Sequence, residues 1–379
     1  MDFERYARQI IFPGIGEAGQ RKLSASAAAV IGIGALGTVI AEELVRAGVG
    51  RVVIADRDYV NAGNLHRQFL FDEQDAAEEK PKAAAAAEHL AAINSQVKIE
   101  PIVCDIDASN IEQLVRDVDI ILDGADNFEV RMLMNESAHK YKKPYVYGAA
   151  LGAQGATMNI LPEGWAPATD NAPPAAQGAT MNILPEDRAP ATDNAPSAAP
   201  GPCLRCLIRE VPGAGTYPTC STAGVIAPIT AVVASMQVAE AIKILIGSPD
   251  VRRSYRDIDL WAGSVDDITI ERDSGCPVCG VDGGRYEYLG RVRGAHSAAV
   301  CGRDEYQITP GVQTPLDLAE FDDKLRRIDG AVSVKSTRFS LSFEGAGASF
   351  VLFPDGRAII RNVKDEAQAK SVYAEYIGL

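Results

Sequence analysis

The chain has 379 residues, 47% of them hydrophobic and 23% charged, with a net charge of -14 and a sequence pI near 4.9. That length leaves room for a large domain and a small one, and the acidic balance argues against a nucleic-acid partner, which needs a basic surface. No apolar run approaches a membrane span, and Met1-Asp-Phe-Glu-Arg5 lacks a charged-then-apolar signal, so no membrane partner and a soluble, cytoplasmic protein are expected.

The first predicted strand, Ala28–Ile33, runs into Gly32, Gly34 and Gly37, spaced as G-x-G-x-x-G before a predicted helix, Leu36–Ala47. Glycines there allow a tight turn and let the backbone approach a phosphate or ribose. Plain helix–strand packing is the alternative use. Asp56 ends the next strand, Val52–Asp56, where an acid accepts hydrogen bonds from ribose hydroxyls. Asn64, Arg67, Gln68 and Lys82 follow as a polar and cationic cluster. Arginine offers a planar fork to phosphate and lysine a point charge. A triphosphate needs such groups more than a pyrophosphate resting on a helix N-terminus does. Taken singly, Arg67 and Lys82 also read as solvated surface charges.

Further on, strands are predicted at Ile99–Val103, Asp119–Asp123 and Tyr145–Gly148, and helices at Lys82–Ile93, Asn110–Val115 and Val130–Tyr141. This alternation predicts an α/β, Rossmann-like fold: a mostly parallel sheet with helices on both faces. The stretch 153–163 recurs at 176–186, a tandem duplication too short to build a repeat core. The first copy continues the sheet; the second, with its proline-rich flanks, is expected as a surface loop. Val225–Ile246 reads as a long helix, apolar nearly all round and therefore buried.

Four of the seven cysteines form two C-x-x-C pairs, Cys203 with Cys206 and Cys276 with Cys279. Two residues between thiols let both reach one tetrahedral ion, and four thiolates make a closed structural zinc site. Redox pairs or unbound thiols are the alternatives. Gly280–Gly284 is a linker candidate, separating a domain at 1–280 from a small α+β domain at 285–379. The latter shows an amphipathic helix (Pro315–Ile328), short strands (Val332–Val334, Ser340–Phe343, Ser349–Phe353, Ala358–Arg361) and a final helix (Glu366–Tyr376).

Arg5-Tyr-Ala-Arg-Gln-Ile10, Gly32-Ile-Gly-Ala-Leu-Gly37, Ala47-Gly-Val-Gly50, Asp56-Arg-Asp-Tyr-Val60, Asn64-Leu-His-Arg-Gln68, Lys80-Pro-Lys82, Asp123-Gly-Ala-Asp-Asn127, Arg131 and the cysteine pairs occur in order over about residues 1–280. In this the chain resembles the ThiF/MoeB/HesA family, ATP-dependent activators of ubiquitin-like sulfur carriers related to the ubiquitin-activating enzymes. Ala35 departs from the pattern, since many members have a third close glycine there. The resemblance implies ATP with Mg²⁺, structural Zn²⁺, and adenylylation of the C-terminal glycine carboxylate of a carrier ending in Gly-Gly, of thiamin or molybdopterin type. It implies that Gly32, Gly34, Ala35 and Gly37 line the nucleotide, Asp56 holds the ribose, and Asn64, Arg67, Gln68 and Lys82 hold phosphates. Asp126, beside Asn127, would coordinate Mg²⁺ or otherwise organise the reacting phosphate. A helix N-cap is the plainer role for this Asp-Asn pair. Arg8 is expected to reach a phosphate in the partner subunit of a homodimer, and the long helix to lie in the core and dimer region. Cys220 would link covalently to the carrier, with a sulfur donor such as a cysteine desulfurase as a further partner; a buried free cysteine is its plainer reading. The C-terminal domain resembles an accessory module of some bacterial relatives rather than a rhodanese; Cys301 reads as structural or merely tolerated, with a reactive loop at Cys301-Gly-Arg-Asp304 as the alternative. A non-catalytic scaffold of the same fold and an NAD-dependent oxidoreductase are the rival classes.

Overall fold

The computed structural model describes residues 3–165, 201–211, 223–291, 296–299, 305–310, 316–326, 332–337 and 339–377, with the backbone alone at 296–299 and 332. The chain divides into two compact units, Met1–Arg291 and Val292–Leu379.

In the first unit, apolar runs become the strands β1 (Ala27–Ile31), β2 (Arg51–Asp56), β3 (Lys98–Val103), β4 (Ile120–Asp123) and β5 (Tyr145–Leu151). They pair in parallel in the order β3-β2-β1-β4-β5. Three antiparallel strands extend the sheet: β6 (Gln154–Ile160), β7 (Tyr255–Asp259) and β8 (Ser264–Ile268). The first copy of the duplicated segment supplies β6; the second copy lies outside the described residues.

The helices of eight residues or more are α1 (Gly16–Ala25), α2 (Ala35–Ala47), α3 (Lys82–Ile93), α4 (Phe128–Lys140) and α5 (Ala227–Ile246). Side chains alternate across a strand, so β1 feeds two cores. Ala28 and Val30 pack with Ile40 and Leu44 of α2, Leu90 of α3 and Val233 of α5. Ala27, Ala29 and Ile31 pack on the other face with Met132 and Leu133 of α4 and with Cys203 and Cys276.

Helix α5 has a proline in its first turn and ends on Gly247 in the left-handed region, φ 75°, the usual start and stop signals. By length and composition it could cross a bilayer. That corrects the expectation that no apolar run approaches a span. It is mostly buried here, packed on α2, β5 and β6.

The second unit is an antiparallel six-stranded sheet in the order β11-β12-β13-β14-β10-β9, made of β9 (His296–Ala299), β10 (Glu305–Thr309), β11 (Val332–Ser336), β12 (Leu341–Gly345), β13 (Ala348–Leu352) and β14 (Ala358–Arg361). Helices α6 (Leu318–Leu325) and α7 (Glu366–Tyr376) pack on it. Phe343 and Phe350 stack at 4.5 Å in its core, with Tyr376 of α7 against both. Cys301 lies outside the described residues.

Candidate nucleotide site and cysteine cluster

In an open parallel sheet, ligands bind beyond the carboxyl ends of strands where the strand order reverses. Here that point lies between β1 and β4. The three glycines after β1 do different work. Gly32 has φ +92° and packs so tightly that a Cβ would meet the Gly124 carbonyl oxygen at 2.5 Å; at Gly37 a Cβ would meet the Gly32 carbonyl oxygen at 1.9 Å. Both are required by the fold itself. Gly34 faces open space, so it is the one left to admit a ligand. Ala35 begins α2, whose first turn receives no side-chain cap at Gly34.

Asp56 closes β2 and ties the glycine loop to the next turn. One carboxylate oxygen accepts the Ile33 N–H at 2.6 Å and the other the Asp58 N–H at 2.7 Å. Burial pushes the Asp56 carboxyl above the usual range, against the opposing pull of Lys82. Lys82, the first residue of α3, is buried with its Nζ 2.9 Å from Asp58 Oδ2. Burial favours its neutral form, but Asp58 and Asp56 outweigh this and hold it above the ordinary lysine value. Arg57 donates to Asp105 at 3.1 Å and lies 3.8 Å from Asp58.

Asn64 and Gln68 are both buried, and Asn64 accepts from Arg67 at 3.3 Å. Arg67 also donates to the Gly63 carbonyl at 3.1 Å. Gln68 Oε1 is buried with no hydrogen-bond partner among the described residues, whereas buried polar atoms are ordinarily paired.

Beyond β4 the Asp-Asn ambiguity resolves in one direction. Asn127 is the N-cap of α4 and accepts the Val130 N–H at 3.0 Å. Asp126 is exposed, outside the cap, and its charge acts on both Lys82 and Arg57. The turn is braced from beneath. Arg131 of α4 donates to Asp123 at 3.2 Å and to the carbonyls of Ala125 and Gly148, while Tyr145 donates to Asp123 at 2.7 Å. Burial pushes Asp123 up and Arg131 draws it back.

Arg8 is not brought to this cluster. Its short helix, Ala7–Ile11, is moored at the far ends of α2 and α3, with Gln9 donating to Ala47 O and Asn94 donating to Tyr6 Oη. The 13 residues of α2 separate Ala47 from the glycine loop, about 20 Å at the helical rise per residue. Cys220 lies outside the described residues.

The four paired cysteines do converge. Their sulfurs all lie within 4.8 Å of one another, with Cys203 and Cys276 at 3.6 Å and Cys206 and Cys279 at 3.4 Å. Four thiolates at the zinc–sulfur bond length, about 2.3 Å, sit about 3.8 Å apart on a tetrahedron, so the donor set fits one such ion. Hydrogen bonding from the neighbouring thiols, Cys203 first, draws Cys206 below the usual thiol range. Asn135 of α4 accepts the Leu204 N–H at 2.9 Å and fixes the first knuckle.

Residues 6–278 match the ThiF family. The chain belongs to the ThiF family. The sulfur carrier protein ThiS adenylyltransferase of Bacillus subtilis is 38% identical over 377 residues, covering 99% of each chain. The sulfur carrier protein adenylyltransferase of Thermus thermophilus is 33% identical over 280 residues, 74% of this chain and 91% of that one. Among solved structures, Escherichia coli MccB with ATP superposes with a TM-score of 0.55 at 20% identity, covering 74% of this chain and 75% of that one. That likeness concerns the ThiF fold alone.

Two residues of this ThiF-family site stand among the sequence motifs but received no role from them. Asp58 was legible only as the second acid of an Asp-x-Asp at a strand end. Arg131 was legible as a cation within a largely buried helix, which demands an anion beneath it.

Proposed function

We propose that the chain transfers the adenylyl group of ATP to the C-terminal glycine carboxylate of a small ubiquitin-like sulfur-carrier protein ending in Gly-Gly, of thiamin or molybdopterin type. The observation that carries this reading is Asp126. It stands exposed outside the helix cap, and its charge acts on the buried Lys82. The activities named for the Bacillus and Thermus relatives support it.

In the reaction a glycine carboxylate oxygen forms a bond to the α-phosphorus, the bond from that phosphorus to the bridging oxygen breaks, and pyrophosphate leaves. Catalysis is then positioning and neutralisation of spreading negative charge. Gly34 and Ala35 admit the nucleotide, and Asp56 holds the ribose with the lone pairs its backbone bonds leave. Asn64, Arg67 and Lys82 hold phosphates, and Gln68 supplies its unpaired acceptor to a donor on the nucleotide. Asp126, steadied by Asn127, organises the reacting phosphate and would hold Mg²⁺, which when bound supplies further neutralising charge.

Arg8 completes the site of a partner subunit in a homodimer. Its mooring one helix length from its own glycine loop supports that reading, as do the exposed apolar side chains Ile11 and Phe12 beside it. Cys203, Cys206, Cys276 and Cys279 hold a structural Zn²⁺ that takes no part in the chemistry. Four neighbouring thiols kept apart from disulfides suit a reducing, cytoplasmic compartment. Cys220 forms the covalent link to the carrier: its thiolate attacks the acyl-adenylate carbon, the bond from that carbon to the AMP oxygen breaks and AMP leaves, and a donor such as a cysteine desulfurase supplies the sulfur. The second unit serves as an accessory domain.

The test is the mass of a β-grasp carrier ending in Gly-Gly after incubation with ATP and the full chain. An AMP adduct that depends on the carrier's last glycine is expected. No adduct with carriers of either type would overturn the assignment.

A further inference from the structure

Asp58 has no part in the reaction as described, yet it lies at the centre of the crevice's hydrogen bonding. Its N–H is held by Asp56, which is itself held by the Ile33 N–H of the glycine loop. Its carbonyl accepts the Lys82 N–H at 2.8 Å, and its carboxylate accepts from Lys82 Nζ at 2.9 Å. Two bonds therefore register the first residue of α3 on the turn after β2. One of them engages the ammonium itself.

We infer that Asp58 is a positioning residue: its carboxylate holds the Lys82 ammonium at the crevice in the nucleotide-free protein and yields it to a phosphate of ATP. The inference rests on Lys82 being a phosphate ligand.

The two partners differ in exposure. The Lys82 side chain is 6% exposed and that of Asp58 35%. A buried ammonium without an anion is strongly disfavoured. Asp58 is solvated enough to release it, and Arg57 stands 3.8 Å away as a second cation for the freed carboxylate. Exchange of carboxylate for phosphate thus keeps every charge paired. The groups acting on Lys82 are Asp58 and Asp56 after β2 and Asp126 after β4. Lys80, two residues earlier, is turned to Asp75 and Glu88. Asp58 is the carboxylate in direct contact with Lys82, so it is the one whose loss should free the lysine to deprotonate.

The test is ATP binding to the full chain, by titration calorimetry from neutral to alkaline pH. Wild-type affinity should stay level across the range in which the protein is folded. Asp58→Asn should bind more weakly and lose affinity on the alkaline side, its limb lower by about one pH unit or more, the scale of shift from a contacting opposite charge. Above the new midpoint, affinity should fall by up to about tenfold per pH unit. Asp58→Glu should restore the wild-type profile. Lys82→Arg in the Asp58→Asn background should remove the limb, because a guanidinium keeps its proton. A merely structural Asp58 would lower affinity equally at every pH, and that result, or an Asp58→Asn profile identical to wild type, overturns the inference. Should Lys82→Ala bind ATP as well as wild type, it is the phosphate role of Lys82 that fails instead.

Discussion

The Asn127 amide donates to the Asp126 carboxylate at 3.0 Å while the same side chain accepts the Val130 N–H at 3.0 Å. One residue therefore caps α4 and steadies its neighbour, and the two functions can be separated by mutation. Asn127→Ala should lower stability by about 1 kcal/mol through loss of the cap, with partial loss of activity. Asp126→Ala should leave stability nearly unchanged and abolish carrier-dependent ATP–pyrophosphate exchange. Urea unfolding and exchange assays on both variants check this. A stability loss in Asp126→Ala matching that in Asn127→Ala would return Asp126 to a capping role.

The cysteine cluster predicts about one zinc per chain, bound through thiolates. Cys276→Ser should release the metal and lower the melting temperature, since Cys276 and Cys203 face each other across two distant segments. Elemental analysis together with thiol titration decides. Metal-free protein with four freely reacting thiols would reject the site.

Arg131 neutralises Asp123 at the end of β4. Replacing it with Met leaves a buried carboxylate unpaired, which should destabilise the protein by about 3–5 kcal/mol. Denaturant unfolding measures this. A loss under about 1 kcal/mol, the range of exposed pairs, would mean that Asp123 is not held as an ion.

Asp75 gives a pH signature away from the site. It belongs to a capping box with Asp72 and accepts from His89 at 2.6 Å and from Lys80 at 3.0 Å. Burial alone would raise its carboxyl, but these hydrogen bonds hold it below the ordinary aspartate value of 3.8. A depressed carboxyl stabilises fully above its unfolded value and loses that contribution as pH falls through the folded one. Asp75→Asn should therefore be less stable than wild type near neutral pH, by about 1.5 kcal/mol, because the neutral amide loses the charged acceptor that Lys80 and His89 face. The difference should shrink in acid. A gap that widens on acidification would contradict the assignment.

The parallel half of the sheet was legible because β1, β2, β4 and β5 are buried on both faces and so read as plain apolar runs. The last two antiparallel strands were not. Every residue of β8 is exposed, and Tyr255–Asp259 carries three charges and a single buried residue, Ile258, so no hydrophobic pattern marks them. The glycine motif located the loop. Only packing distances show that Gly32 and Gly37 serve the fold while Gly34 is open to a ligand. Asp126 and Asn127 are equally good caps by residue type, and three-dimensional contacts were needed to assign the cap to Asn127.

The central claim is that ATP is activated here for a carrier carboxylate, and ATP–pyrophosphate exchange measures that step directly. With a β-grasp carrier ending in Gly-Gly, exchange should be robust for the wild-type chain, absent without carrier, and nearly abolished in Lys82→Ala, whose circular dichroism should match that of wild type. Exchange that ignores the carrier, or that proceeds at the wild-type rate in Lys82→Ala, would contradict the account.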